Sequence, residues 1–372
     1  MRLLLFTGKG GVGKTTLAAA TAARIAARGR QTLVVSTDPA HSLADALAVP
    51  LGPEPSEVDT ALVAAHIDAR ALVDRSWPSL RTHVARFATG LGLDTLDAEE
   101  LTVLPGVDEL LALTEVARLA RTGTWDAVVV DCGPTAETLR LLALPEAVAG
   151  YLARVRIIPD LRAAAAVAAE LADHLAGLRS LLTSPATAVR LVLTPERLVA
   201  AETRRTLAAL TLRGIPVDSL IANRVVPRAR RWHGPAAAWL RTRRSEQDTV
   251  LSEMDGLLPV ARVEHRAGEP IGLPALLAVA DELYGDTDPL AVRTGHGPLL
   301  AITADPPDQV LRIAVPLPPG TAPDLARIDD DLAITVDGVR TLIPVPLALR
   351  HHTITDAEAD DTGLILRFTP VD

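Results

Sequence analysis

The residues best suited to chemistry sit within the first sixteen positions. Gly8-Lys9-Gly10-Gly11-Val12-Gly13-Lys14-Thr15 fits the pattern G-x-x-x-x-G-K-[ST] and runs on into Thr16. An apolar run precedes it and an Ala-rich run follows, which is the strand–loop–helix context a phosphate loop requires. In that context the backbone N–H groups from Gly10 to Thr15 converge on phosphates at a helix N-terminus. Gly8, Gly10, Gly11, Val12, Gly13, Lys14, Thr15 and Thr16 are therefore the candidate nucleotide-binding residues. The Lys14 ammonium is expected to bridge the β- and γ-phosphates of ATP, and the Thr15 hydroxyl to ligate Mg²⁺. Lysine occurs only at Lys9 and Lys14; the remaining 35 of the 37 basic residues are arginine. A compact ammonium fits between phosphate oxygens in a way that the planar guanidinium fork does not.

Two acids follow apolar runs. Asp38 comes directly after Thr32-Leu33-Val34-Val35-Ser36 and Thr37. There it could orient a water for in-line attack or cap the next helix; the residue alone leaves both open. Asp131 ends Ala127-Val128-Val129-Val130. An acid closing a buried strand is the expected partner of Mg²⁺ through water. His41 reads as a packing or capping residue, and Cys132 as a small buried side chain rather than a reactive thiol.

These residues need a scaffold of alternating elements. Leu3–Thr7 reads as a buried strand, about Thr15–Arg28 as a helix ended by Gly29, and Thr32–Ser36 as a second strand. Asp108–Arg121 is an amphipathic helix, and Ala127–Asp131 another buried strand. Val189–Thr194 and Asp218–Asn223 read as strands around a helix from about Leu198 to Leu212. Pro235–Met254 reads as helix, Leu258–Val263 as a short strand, and Pro274–Tyr284 as the closing helix. The alternation predicts a doubly wound, mostly parallel α/β sheet of P-loop NTPase type over residues 1–285. Helical insertions about 61–104 and 150–186 would form a helical subdomain. Residues 286–305 read as a linker. From 306 to 372 the period changes to two: Val310–Val315, Leu332–Val336, Arg340–Ile343 and Leu364–Phe368 predict a small all-β sandwich, with Asp337-Gly338 as a hairpin turn.

Composition narrows the function. The net charge of −9 argues against general nucleic-acid binding. One cysteine excludes a CxxC zinc site or an intramolecular disulfide. With no signal-peptide core and no run of eighteen apolar residues, the cytoplasm is the expected compartment. Aromatics are only 2% of the chain, so the core must be built from Ala, Leu and Val.

The loop GKGGVGKTT, with a lysine ahead of a double glycine, is the deviant form of the phosphate loop. It resembles the family containing the MinD/ParA partitioning ATPases, nitrogenase iron protein and the ArsA/GET-type ATPases. In that family the first lysine reaches the partner's nucleotide, so the resemblance implies an ATP-closed homodimer and a catalytic role for Lys9. Ser36-Thr37-Asp38-Pro39-Ala40-His41-Ser42-Leu43 resembles switch I of the ArsA/GET type, which implies that Asp38 polarises the attacking water. Asp131-Cys132-Gly133-Pro134-Thr135-Ala136-Glu137-Thr138-Leu139-Arg140 resembles switch II, with Cys132-Gly133 for Thr-Ala and Ala136-Glu137 for Gly-His. Pro105-Gly106-Val107-Asp108-Glu109 and Thr194-Pro195-Glu196-Arg197 also match. Ile221-Ala222-Asn223-Arg224 resembles the strand end whose asparagine bonds adenine, a task an amide suits because it both donates and accepts. The C-terminal residues are similar to an α-crystallin-like sandwich appended to some ArsA-like proteins.

Absences sort these relatives. A lone cysteine gives no iron–sulfur cluster and no metalloid triad, and with methionine only at Met1 and Met254 there is no methionine-rich client groove. No basic amphipathic helix ends the chain. The resemblance therefore implies a nucleotide-gated ATPase of the ArsA/GET type, handling an apolar or membrane-protein client or a transporter partner. A MinD/ParA-like localisation switch and a chaperone-like module with a structural ATP site remain the alternatives.

Overall fold

The computed structural model describes residues 1–38, 42–68, 107–132, 173–229, 233–291, 299–306, 308–315, 317, 323–336, 339–360 and 363–370. They fall into two compact units. The first comprises Met1–Thr7, Lys14–Thr187 and Pro270–Leu290; the second comprises Gly8–Gly13, Ala188–Glu269 and Ala291–Asp372.

The first unit is built on β1 (Arg2–Thr7), β2 (Thr32–Ser36), β3 (Ser56–Asp59), β4 (Leu62–His66) and β5 (Ala127–Asp131). Its strands run in the order β3-β4-β2-β5-β1. All neighbours are parallel except β3, which returns antiparallel on β4. Strands β2 and β5 are buried along their whole length, as expected of parallel strands covered on both faces. Helix α1 (Lys14–Ala27) packs on β1, β2 and β5 and against a closing helix at Leu273–Tyr284. Seven of its alanines and threonines (Ala18, Ala19, Ala20, Thr21, Ala22, Ala23, Ala26) are buried, small side chains that let it sit between two neighbours. The Thr21 hydroxyl meets the Tyr284 hydroxyl at 2.7 Å inside that contact. Short α2 (Ser42–Leu47) and longer α3 (Val107–Thr122) complete the described helices of this unit, with residues 173–182 also helical.

Two expectations need correction. Residues 62–66 begin the stretch read as a helical insertion from about 61, yet they form β4. Ala64 and Ala65 favour helix in isolation, but the run pairs with β2 in register Thr32↔Leu62 to Ser36↔His66 and is buried between β2 and β3. Burial and pairing outweigh a propensity of under about 1 kcal/mol per residue. Residues 300–305, read as the end of a linker, form β9. Its side chains are mostly exposed, so its sequence lacks the alternation that reveals the other strands.

The second unit holds β6 (Thr187–Leu193), α4 (Arg197–Leu212), β7 (Val217–Val225), α5 (Pro235–Asp255) and β8 (Val260–Glu264). Strands β6, β7 and β8 are parallel neighbours. The closing helix of the first unit, α6, is Leu273–Tyr284. Beneath β6 and β7 the Arg190 guanidinium makes a two-pronged pair with Asp218, both bonds 3.2 Å and both side chains buried.

The all-β expectation holds. Strands β9 (Leu300–Asp305), β10 (Asp308–Ile313), β14 (His352–Asp360) and β15 (Gly363–Pro370) form one sheet in the order β14-β15-β10-β9. Strands β11 (Asp324–Ile328), β12 (Asp331–Val336) and β13 (Val339–Pro344) form the other. Register Val336↔Val339 fits the expected hairpin; Asp337 and Gly338 themselves lie outside the described residues. Between the sheets Leu311, Ile313, Leu332, Ile334, Leu366 and Phe368 are buried, and Ala208 and Leu212 of α4 join the same cluster.

Asp218→Ala would leave a buried guanidinium without its counter-charge and is expected to destabilise the protein by about 3–5 kcal/mol. Replacing both partners with apolar side chains, Arg190→Met with Asp218→Leu, should recover most of that loss in urea unfolding.

Candidate functional site

Strand register sets the site. Phe6 and Ser36 both lie opposite Asp131, so the carboxyl ends of β1, β5 and β2 finish level. The helix that follows β1 starts at Lys14, which places Thr15 in its first turn, within reach of the end of β5. The Thr15 hydroxyl donates to Asp131 Oδ2 at 2.7 Å and lies 3.0 Å from Ser42 Oγ at the start of α2. The Ser36 hydroxyl donates to the same Oδ2 at 3.1 Å. Asp131 Oδ1 is buried and accepts no hydrogen bond among the described residues.

That environment is electrically unusual. Burial pushes the Asp131 carboxyl up to about 6, against the opposing pull of the Thr15 and Ser36 hydroxyls and the Lys14 charge. Asp38 adds a smaller push in the same direction, so its charge lies close by. The Asp38 amide donates to Ser36 Oγ at 3.2 Å, and Thr37 N–H to the Asp131 carbonyl at 3.0 Å. The first unit thus gathers Lys14, Thr15, Asp38 and Asp131 at one end of its sheet. Cys132, next in the chain, is half-buried and its thiol is pushed up to about 12 by burial and by the Asp131 charge.

The glycine loop belongs to the second unit. Gly8 has φ +152°, and a Cβ there would stand 2.1 Å from the Val192 carbonyl oxygen. Gly13 has φ +94°, and its Cβ would strike Asn223 Nδ2 at 2.2 Å. These two positions admit only glycine, one for contact with β6 and one for contact with β7. Between them Gly10 and Gly11 face open space. Asn223 is drawn onto the loop itself: Nδ2 donates to the Val12 carbonyl at 2.9 Å, and Oδ1 accepts the Arg224 N–H at 2.9 Å. Among the described residues, one N–H and one lone pair of the amide have no partner and could serve a ligand. The Lys9 ammonium lies 3.2 Å from Glu202 on α4, with both side chains about half exposed. Lys14, by contrast, is buried. Thr16 follows in the first turn of α1, where backbone N–H groups have no intrahelical acceptor.

Ser36, Ser42 and Glu202 were not singled out in the sequence. The two serines lie in quoted segments, but only the register opposite Asp131 shows their use. Glu202 lies 193 positions from Lys9, and no local pattern connects them. His41, Pro105-Gly106 and residues 133–142 of the second switch lie outside the described residues.

A carboxyl whose folded pKa exceeds its unfolded value favours the fold when protonated. Its contribution is therefore lost as pH rises from about 4 to about 6 and stays unfavourable above that. Asp131→Asn is expected to raise the melting temperature of the nucleotide-free protein at pH 7.5, by an effect of up to about 3 kcal/mol. The advantage over the wild type should shrink toward pH 4, while ATP turnover at pH 7.5 is lost.

Comparison with known proteins identifies the family. Residues 1–285 match the family described as anion-transporting ATPase, and residues 308–368 match an HSP20-like domain found in ArsA. The chain is 37% identical to Protein Rv2184c of Mycobacterium tuberculosis, covering 99% of this chain and 96% of that protein. It is 32% identical to the "Putative arsenical pump-driving ATPase" of Chlorobaculum tepidum, again over 99% and 96%. A more distant relative is the ATPase ASNA1 homolog of Trypanosoma cruzi, 28% identical over 76% of this chain and 90% of that one. A phosphate loop, a buried strand-end aspartate beside its threonine, and family matches that span both parts of the chain lead to one statement: this protein is an ATPase of the ArsA anion-transporting ATPase family, with an HSP20-like domain at its C-terminal end.

Proposed function

We propose that the chain works as an ATP-gated homodimer that couples nucleotide binding and hydrolysis to the handling of an apolar or membrane-protein client, or of a transporter partner. The observation that carries this reading is the contrast between the two lysines. Lys14 is buried at the start of α1, suited to the nucleotide of its own chain, whereas Lys9 is about half exposed, with its ammonium 3.2 Å from Glu202. An exposed pair of this kind is worth about 0–1 kcal/mol, so phosphate from a second subunit's nucleotide can displace Glu202 at little cost. Among the described residues no helix is long and apolar enough to cross a membrane. On the sequence reading we place the protein in the cytoplasm.

Mg²⁺ fits the residues present. The Thr15 hydroxyl donates its proton to Asp131, accepts from Ser42 and keeps one lone pair, and Asp131 Oδ1 is a buried acceptor with no bond among the described residues. Thr15 would ligate the ion directly and Asp131 through water; the ion would neutralise charge developing on the phosphates. Asp38, close to that carboxylate, accepts the proton of the attacking water. Asn223 reads the adenine edge with the donor and acceptor it has free.

Asp38→Asn is expected to lower kcat by about 10²–10⁴-fold, the range for a general base, while ATP affinity measured by titration stays within about twofold. Unchanged turnover would remove Asp38 from the mechanism. In the Asp38→Asn background, ATP should shift the protein to twice its mass in light scattering, and adding Lys9→Ala should abolish that shift. A protein that stays monomeric with ATP and intact Lys9 would rule out the dimer.

A further inference from the structure

Strand β7 does not reach the glycine loop as a straight strand. Its register against β8 slips between Ala222 and Val225, and Arg224 takes φ +57° although it carries a side chain. Left-handed backbone at such a residue persists only where the surroundings impose it. On the loop side the imposing group is Asn223, whose Oδ1 accepts the Arg224 N–H while its Nδ2 donates to Val12. On the other side it is α5. Gln247 is buried at 4% exposure, among Val250, Leu251 and Met254 of the same helix. Its Oε1 accepts the Val226 N–H at 2.7 Å, and its Nε2 donates to the Arg224 carbonyl at 3.4 Å. Arg244, one turn earlier and bonded to Asp248 at 2.9 Å, donates to the Val226 carbonyl at 2.7 Å.

A primary amide is costly to bury unless it is bonded. The bonds described for Gln247 go to main chain of the 224–226 bulge, and the same packing could be supplied by an apolar side chain. Its polarity therefore serves the bulge. An unbroken series of contacts then runs from Gln247 through residues 224–226 to Asn223, and from Asn223 to Val12 and Gly13.

We infer that Gln247 is a positioning residue for base recognition: it fixes the bulge that holds Asn223 against the phosphate loop and so aims the free edge of that amide at the base. This rests on the reading of Asn223 as the base contact. Gln247 itself touches no nucleotide.

The test compares ATP with GTP, which presents a carbonyl where adenine presents an amine, using the full chain with Mg²⁺. Gln247→Met keeps the volume and removes both bonds. Loss of one aimed hydrogen bond should raise KM for ATP about tenfold, leave kcat within about twofold, and erode the preference for ATP over GTP. Asn223→Ala should have the same effect, and the double variant should be no worse than either single one. Gln247→Asn, which withdraws the amide by one methylene, should show the same loss of preference and serves if the methionine variant does not fold. A lower melting temperature with an unchanged ATP:GTP ratio in both Gln247 variants would overturn the inference while leaving Asn223 in place. An unchanged ratio in Asn223→Ala would overturn the base reading itself.

Discussion

The structure turns on a carboxylate buried without enough partners. Asp131 sits at the end of a strand that is inaccessible on both faces, with one oxygen held by Thr15 and Ser36 and the other unbonded among the described residues. Every strand around it contributes apolar side chains that remove water, and that removal is what lifts its proton affinity. The parallel sheet makes the arrangement possible, because three strand ends finish level and the helix after β1 begins beside them. A fold that accepts such a cost in the free state stores a demand for positive charge where a polyphosphate and its cation are expected to arrive.

Much of this was legible in sequence for a simple physical reason. Fully buried parallel strands are continuous apolar runs, and Thr32–Ser36 and Ala127–Asp131 carry the boundaries they were assigned. Gly8 and Gly13 of the loop were legible because backbone that approaches β6 and β7 so closely excludes a Cβ. Strands β4 and β9 were not, since Leu62-Val63-Ala64-Ala65 is strand only because β2 lies beside it, and β9 is an edge strand with little burial. Among site residues, those that act through their own type and strand end were visible. Those that act through a partner far along the chain, such as Glu202 on Lys9 or Gln247 on Arg224 and Val226, depend on tertiary placement that has no local signature.

The two lysines of the loop show how one short segment serves different demands. Lys14 is buried and contributes its charge to the balance at Asp131; Lys9 rests on an exposed carboxylate from another helix. Exclusion of water strengthens the first interaction, and exposure to it weakens the second. Five positions apart in an arginine-rich chain, the two cations differ in burial: Lys14 is enclosed and Lys9 is about half exposed.

Helix α4 carries Glu202 near one end and gives Ala208 and Leu212 to the interior of the β-sandwich at the other. Because those two side chains are buried in the sandwich's cluster, packing constrains both positions on α4. A gene shortened before β9 would not yield a tidy ATPase but one with an apolar scar on α4. A foreign sandwich grafted in its place would need to match that helix residue by residue.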